Sequence, residues 1–262
     1  MIRRPPRSTQ GVSSAASDVY KRQTIDIEID SNLQFMGYTR IDYRSATIVI
    51  ADWALDSDML VGLLLHELAH IYFTETKQSQ FHNLEIINHV FNGIIHSEEM
   101  IGEPLSKVEA KFLTDSFTHL QNIIADDLVF ELLNTKQETK LIQEFFLTWV
   151  SDTPTGNKIV DSSLLTRNAF AIASLKRRNL FFYVDKEMER RNEKFLSFYK
   201  INETDTNTSG KFTKLETLLK NINLDDIATW DDFEDMLSEY FDLLIDLLQH
   251  KDVFLDLSLI HI

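Results

Sequence analysis

Thr24–Asp30 (TIDIEID) alternates apolar and acidic residues, the two-residue period of a half-buried strand. Ala46–Ala51 (ATIVIA) is a compact β-branched run and reads as a second strand paired with the first. Gly37, between them, suits a turn. Beyond Asp56 the period lengthens to that of helices. Asp56 or Ser57 can N-cap a helix to about Thr74. Further helical patterns cover about Gln78–Met100, Leu105–Asn134 with Pro104 at its start, and Lys136–Val150. Ser151–Lys158 (SDTPTGNK) reads as a loop and a domain boundary. Helical spacing resumes over Ile159–Val184, Asp185–Tyr199, 212–222 and 230–250, with Asn202–Lys211 as the most linker-like stretch. The fold class expected is α+β, mostly α-helical, with a small N-terminal sheet. A core domain spans 24–150 and a helical region spans 159–256.

Composition narrows the chemistry. The 262 residues are 44% hydrophobic, enough for a core, and contain no cysteine. Disulfide frameworks and cysteine-ligated metal sites are therefore excluded. Seven glycines and four prolines favour long helices over a turn-rich β fold. Lys+Arg 26 against Asp+Glu 41 gives −15, a charge that repels a phosphate backbone, so no nucleic-acid partner is expected. No apolar run approaches the roughly 18 residues of a membrane span. Without a secretory signal, the expected location is the cytoplasm.

The two ends stand apart. Residues 1–23 are Arg- and Ser-rich and poor in acids, as in a transit peptide. They resemble translated sequencing-adapter read-through more closely, as does LSLIHI (257–262). Both segments are set aside as artefact.

His66-Glu67-Leu68-Ala69-His70 matches H-E-x-x-H. Composition alone predicts roughly 0.02 such matches in a chain of this length, so the motif is informative. Residues four apart lie one above the other on a helix, so two imidazoles can grip one ion. The uncharged neighbours Leu65, Leu68, Ala69 and Ile71 suggest a buried helix. Zinc suits neutral nitrogen ligands completed by a carboxylate. It lowers the pKa of a bound water toward about 7, and Glu67 can take that proton.

A catalytic zinc needs a third protein ligand. The extended H-E-x-x-H-x-x-G-x-x-H pattern fails, because Phe73 and Thr76 stand at its Gly and His positions. Glu75 points to the opposite side of the helix. Asp115, His119, Asn122 and Asp126 recur at steps of 4, 3 and 4 and form a polar stripe. That stripe is either a solvent boundary or a ligand row. In the second case Asp126 is the third ligand, Asn122 and His119 support it, and Asp127 points elsewhere. His82, His89 and His96, spaced by seven, form a competing row from which one ligand can come.

The stretch LLLHELAHIYFTETKQSQ (63–80), with LQNIIADDLVFELL (120–133) after it, resembles a group of bacterial and phage metallopeptidases. In that group H-E-x-x-H is followed by a helix bearing N-x-x-x-D. Members often precede a von Willebrand factor A-like domain, and many are encoded with AAA-type ATPases. Many carry an acid before the Asp, where this chain has Ala125. The resemblance implies a zincin-like fold, in which an edge strand pairs with an extended substrate. Ala46–Ala51 is the candidate for that edge, with an ordinary core strand as the alternative.

The expected function is a zinc-dependent endopeptidase acting on a protein or peptide substrate. His66, His70 and Asp126 bind zinc, and Glu67 is general base and then proton donor to the leaving amine. The first alternative is a catalytically inactive, metal-stabilised scaffold partnering an ATPase. The second is a helical adaptor without metal. Leu224–Gln249, with nine acids and no Lys or Arg, reads as an amphipathic helix. It otherwise reads as a docking helix for a basic partner, which Lys176–Lys194 could supply within the chain.

Overall fold

A computed structural model describes residues 24–42, 45–76, 79–83, 85–133, 136–180, 184–201 and 207–248. The segments 1–23 and 257–262 lie outside the described residues, as do positions 202–206 of the linker-like stretch. The chain divides into two compact units, one ending at Leu60 and the other beginning at Val61.

The first unit holds three strands, β1 (Thr24–Asp30), β2 (Gly37–Ile41) and β3 (Ser45–Ala51), in the order β1-β3-β2. β1 runs parallel to β3, with Ile27 opposite Ile48, and β2 runs antiparallel to it, with Tyr38 opposite Val49. Two expectations change. Gly37 opens a strand instead of a turn. Ala46–Ala51 belongs to the central strand and is no edge. Its composition explains why: Ala46, Ile48, Val49, Ile50 and Ala51 are all buried, and a strand covered on both faces reads as continuous apolar sequence. β1 alternates because it lies at an edge, with Ile27 and Ile29 each 60% exposed. Trp53 folds back on the sheet connection, its indole N–H donating to the Leu33 carbonyl at 3.1 Å.

The second unit is helical. Its elements are α1 (Leu60–Thr76), α2 (Ile86–Ile101), α3 (Lys107–Leu132), α4 (Lys136–Trp149), α5 (Lys158–Lys176), α6 (Asp185–Ile201), α7 (Thr208–Asn221) and α8 (Trp230–Leu248). α1 begins after Asp56 and Ser57. The Ser57 carbonyl accepts from the Leu60 N–H at 3.0 Å, in a turn that precedes the helix. α3 begins on a capping box. Ser106 Oγ accepts from the Glu109 N–H at 3.2 Å, and the Glu109 carboxylate accepts from the Ser106 N–H at 2.9 Å. Gly102, left-handed at φ 80°, closes α2. The expected helix over Ile159–Val184 ends early, in a turn at Arg177–Asn179 where Asn179 adopts φ 54°.

α5 is the hub. It touches α3, α4, α7 and α8, and Leu165, Ala169, Phe170, Ile172 and Leu175 on it are all buried. A helix packed on several sides shows little polar face, which explains its run of small and apolar residues. The Ser151–Asn157 loop lies inside this same unit. Asp161, fully buried, gathers it by accepting from the N–H groups of Thr155 and Gly156 and from the Thr155 and Tyr199 hydroxyls. α2 lies against α8 at Gly93, where an added Cβ would meet the Phe241 ring at 3.0 Å. α8 is the amphipathic helix expected, burying Phe233, Leu237, Tyr240, Phe241 and Leu244. Among the described residues of Lys176–Lys194, Lys176, Arg177, Arg178, Arg190, Arg191 and Lys194 pair with Glu216, Asp127, Glu187 and Asp152, none of which lies on α8. Among the described residues no helix is long and apolar enough to cross a membrane.

Candidate metal centre

α1 carries His66, Glu67 and His70. Glu67, Ala69, Ile71 and Phe73 are buried, whereas Val61, Leu68 and Tyr72 form one exposed stripe, so the buried helix expected has Leu68 on its open side. The helix meets α3 through small residues. Ala69 packs on Ala125 and Val129, flanked by Leu65 and Leu128. Ala125 is fully buried there, so the position where the resembled group carries an acid is a packing position in this chain.

That packing brings the expected site residues together. His66 Nδ1 lies 2.7 Å from Asp126 Oδ1, and His66 Nε2 lies 3.1 Å from His70 Nε2. Asn122, one turn before Asp126, lies near both imidazoles and favours their charged forms. Behind His70 stands His82: its Nε2 lies 2.9 Å from His70 Nδ1, and its Nδ1 lies 3.3 Å from Ser79 Oγ. Five side chains thus form one line, Asp126–His66–His70–His82–Ser79.

The other expected residues go elsewhere. Asp115 is exposed and pairs with Lys111. His119 stacks on Phe170 with ring centroids 4.8 Å apart, and its buried Nδ1 has no partner. Burial, then the nearby Arg167 charge, push its pKa down to about 4. Asp127 faces Arg177 and Arg178. His89 stacks flat on Trp230 at 3.9 Å and contacts Glu234 at 2.6 Å, and His96 is exposed. The seven-residue histidine row therefore dissolves. His82 sits on a separate 3-10 turn, Gln80–His82, ahead of α2. Neither Ser79 nor that turn is signalled by periodicity.

Electrostatics separate the imidazoles. Burial disfavours charge on His66, but the Asp126 carboxylate and its hydrogen bond, with Glu67 and Asn122, outweigh it and raise the pKa. Burial and then its histidine neighbours push His70 well below the usual value. Burial, then His66, hold His82 down at about 3. One positive charge is therefore favoured in the line, at His66. A carboxylate only accepts, so His66 Nδ1–H donates to Asp126.

A metal ion can be tested against this line. Two nitrogens each bonded to one zinc lie roughly 3.3 Å apart at a tetrahedral angle, so the observed 3.1 Å suits a shared ion. Replacing the proton between the two Nε2 atoms by a cation leaves every outer hydrogen bond intact. Asp126 and His82 occupy the outer nitrogens, the place of groups that orient ligands. Accordingly, among the described residues no group of three or more His, Asp or Glu side chains is assembled to hold a metal ion.

The chain matches no protein-family model, no curated protein and no solved structure.

Proposed function

We propose that the chain is a zinc-dependent peptidase in which His66 Nε2 and His70 Nε2 would hold the ion. One observation carries the reading. The two nitrogens converge at 3.1 Å while both outer nitrogens are held, with the buried Glu67 beside them. When bound, the ion supplies Lewis acidity that acidifies water toward neutral pH and polarises a carbonyl. The chain's own residues do the rest. Glu67 takes a proton from water and returns it to the leaving amine. Asp126 keeps the Nδ1 proton on His66, leaving Nε2 as the ligand atom. In this arrangement Asp126 orients a ligand and is not itself the third one.

A second reading is a metal-stabilised scaffold without turnover, which requires further protein ligands to close the coordination sphere. Both readings keep a cytoplasmic location and an AAA-type ATPase or von Willebrand factor A-like partner as proposals from the resemblance.

Elemental mass spectrometry on the purified chain, beside His66→Ala, tests the metal. One zinc per chain, lost in His66→Ala, supports both readings, and a metal-free folded chain sinks both. Hydrolysis of an unfolded protein substrate by the zinc-loaded chain, abolished in Glu67→Gln with zinc retained, supports the peptidase. Zinc without hydrolysis supports the scaffold.

A further inference from the structure

His82 is the least expected member of the line, and its surroundings are the most heavily built. Its ring stacks on Phe73 of α1 with centroids 5.2 Å apart. The turn that carries it is held from three directions. Ser79, 1% exposed, meets His82 Nδ1. The Gln121 side chain, from α3, donates to the Phe81 carbonyl at 2.7 Å. Gln80 donates to the Ala228 carbonyl at 3.1 Å, just ahead of α8. Phe81 is fully buried and meets Phe233 of α8 edge-on at 5.2 Å. α1, α3 and the entry to α8 therefore converge on three residues of turn, and the product of that convergence is the position of one imidazole.

We propose that His82 is a positioning residue: it holds His70 as the Nδ1–H tautomer and thereby keeps His70 Nε2 free to bind metal. This rests on the metal reading above for its consequence, though not for its geometry. A neutral imidazole has one donor and one acceptor nitrogen. His70 Nδ1 faces the His82 Nε2 atom 2.9 Å away. If His82 accepts there, the His70 proton is drawn to Nδ1. If His82 donates, the proton must lie on Nε2, where it blocks the ligand atom. The Ser79 hydroxyl, 3.3 Å from His82 Nδ1, can accept from Nδ1–H, which leaves His82 Nε2 as the acceptor and gives the first polarity. Asp126 does the same for His66. Each histidine of the motif then has its outer nitrogen occupied by a group from outside α1, one from α3 and one from the Gln80–His82 turn. Gln121 acts one step further back, by fixing the turn.

Ring nitrogen shifts of the ¹⁵N-histidine-labelled full chain read the tautomer directly, without metal. The expected result is Nδ1–H at His70 in the wild type. His82→Ala should move that proton to Nε2. His82→Gln, whose amide oxygen can accept, should restore the wild-type tautomer. In parallel, Co²⁺ affinity measured by chelator competition should fall about 10- to 100-fold in His82→Ala and recover in His82→Gln. Gln121→Ala, outside the line, should weaken Co²⁺ binding less, in a chain whose circular dichroism is unchanged. An Nε2–H tautomer in the wild type, or a His70 tautomer indifferent to His82→Ala, overturns the proposal. A tautomer that shifts as expected in a chain that binds no Co²⁺ supports the positioning role and removes the metal reading instead.

Discussion

Arg177 grips the carboxylate of Asp127 twice, Nε to Oδ1 at 3.0 Å and Nη2 to Oδ2 at 2.5 Å. Arg178 adds a third contact, Nη2 to Oδ1 at 2.7 Å, with its guanidinium lying 4.4 Å over the Phe130 ring. The two arginines close α5, and Asp127 directly follows Asp126 on α3, so this clamp ties the hub helix to the helix that carries the candidate site. Asp127→Ala strands two largely buried cations. Because the carboxylate is itself 37% exposed, solvent moderates the cost, and the expected destabilisation is about 2 kcal/mol. Urea unfolding followed by circular dichroism measures it. A change under about 0.5 kcal/mol would show the clamp to be ornamental.

Loading with metal should stabilise the fold. At zinc 100-fold above its dissociation constant, the expected gain is about 2.7 kcal/mol. The gain should vanish in His66→Ala and persist in Glu67→Gln. Differential scanning fluorimetry with and without chelator reads the difference, and an equal gain in His66→Ala would place the ion elsewhere.

His119 should make the chain acid-sensitive. Its pKa is about 4 in the fold and about 6.5 when unfolded. Below pH 6.5 the unfolded chain takes up a proton that the folded chain refuses. Stability from this group is therefore complete above pH 6.5 and is lost as pH falls toward 4. The loss by pH 4 should be about 3 kcal/mol. In His119→Phe, which keeps the stacking on Phe170 and removes the unpartnered nitrogen, stability between pH 6.5 and 4 should fall by that much less. Parallel slopes in the two chains would assign the acid sensitivity to other groups.

Gly93 should tolerate little growth. An Ala Cβ would sit 3.0 Å from the buried Phe241 ring and 3.3 Å from Leu237. The helix-propensity gain of about 1 kcal/mol offsets part of that crowding. Gly93→Ala should therefore lie near neutral, and Gly93→Val should destabilise by about 2–3 kcal/mol. A Val variant as stable as the wild type would mean that α2 and α8 can separate freely at this crossing.

Two isoleucines that face each other across β1 and β3 should differ sharply. Ile48 is 1% exposed and Ile27 is 60% exposed. Ile48→Ala should cost about 2–4 kcal/mol, and Ile27→Thr under about 0.5. Comparable losses at the two positions, by the same urea assay, would contradict this sheet order.

The features legible in the amino-acid sequence are those set by local geometry. The i, i+4 spacing of His66 and His70 follows from helix rise, and so does the shared side of Asn122 and Asp126. The same stripe cannot say which nitrogen of His66 the carboxylate will reach, and it draws in Asp115 and His119, whose side chains find Lys111 and Phe170 instead. His82 is misread because a constant spacing of seven presumes one continuous helix, and the chain breaks that helix before Ile86. β2 (GYTRI) is missed because it has too little apolar alternation of its own. Its strand character comes from pairing with β3, which is tertiary information.

The order β1-β3-β2 also dictates how the sheet comes into being. Every rung of its ladder has β3 on one side, since β1 and β2 are each bonded to β3 and never to one another. The last strand to leave the ribosome is therefore the one that creates the sheet. β2 and β3, antiparallel neighbours only three residues apart in sequence, can close first as a hairpin, whereas β1 must wait for β3 and join it in parallel. The amide protons of β2 and β3 should then exchange with solvent as one unit, and β1, the strand added last, should open ahead of them.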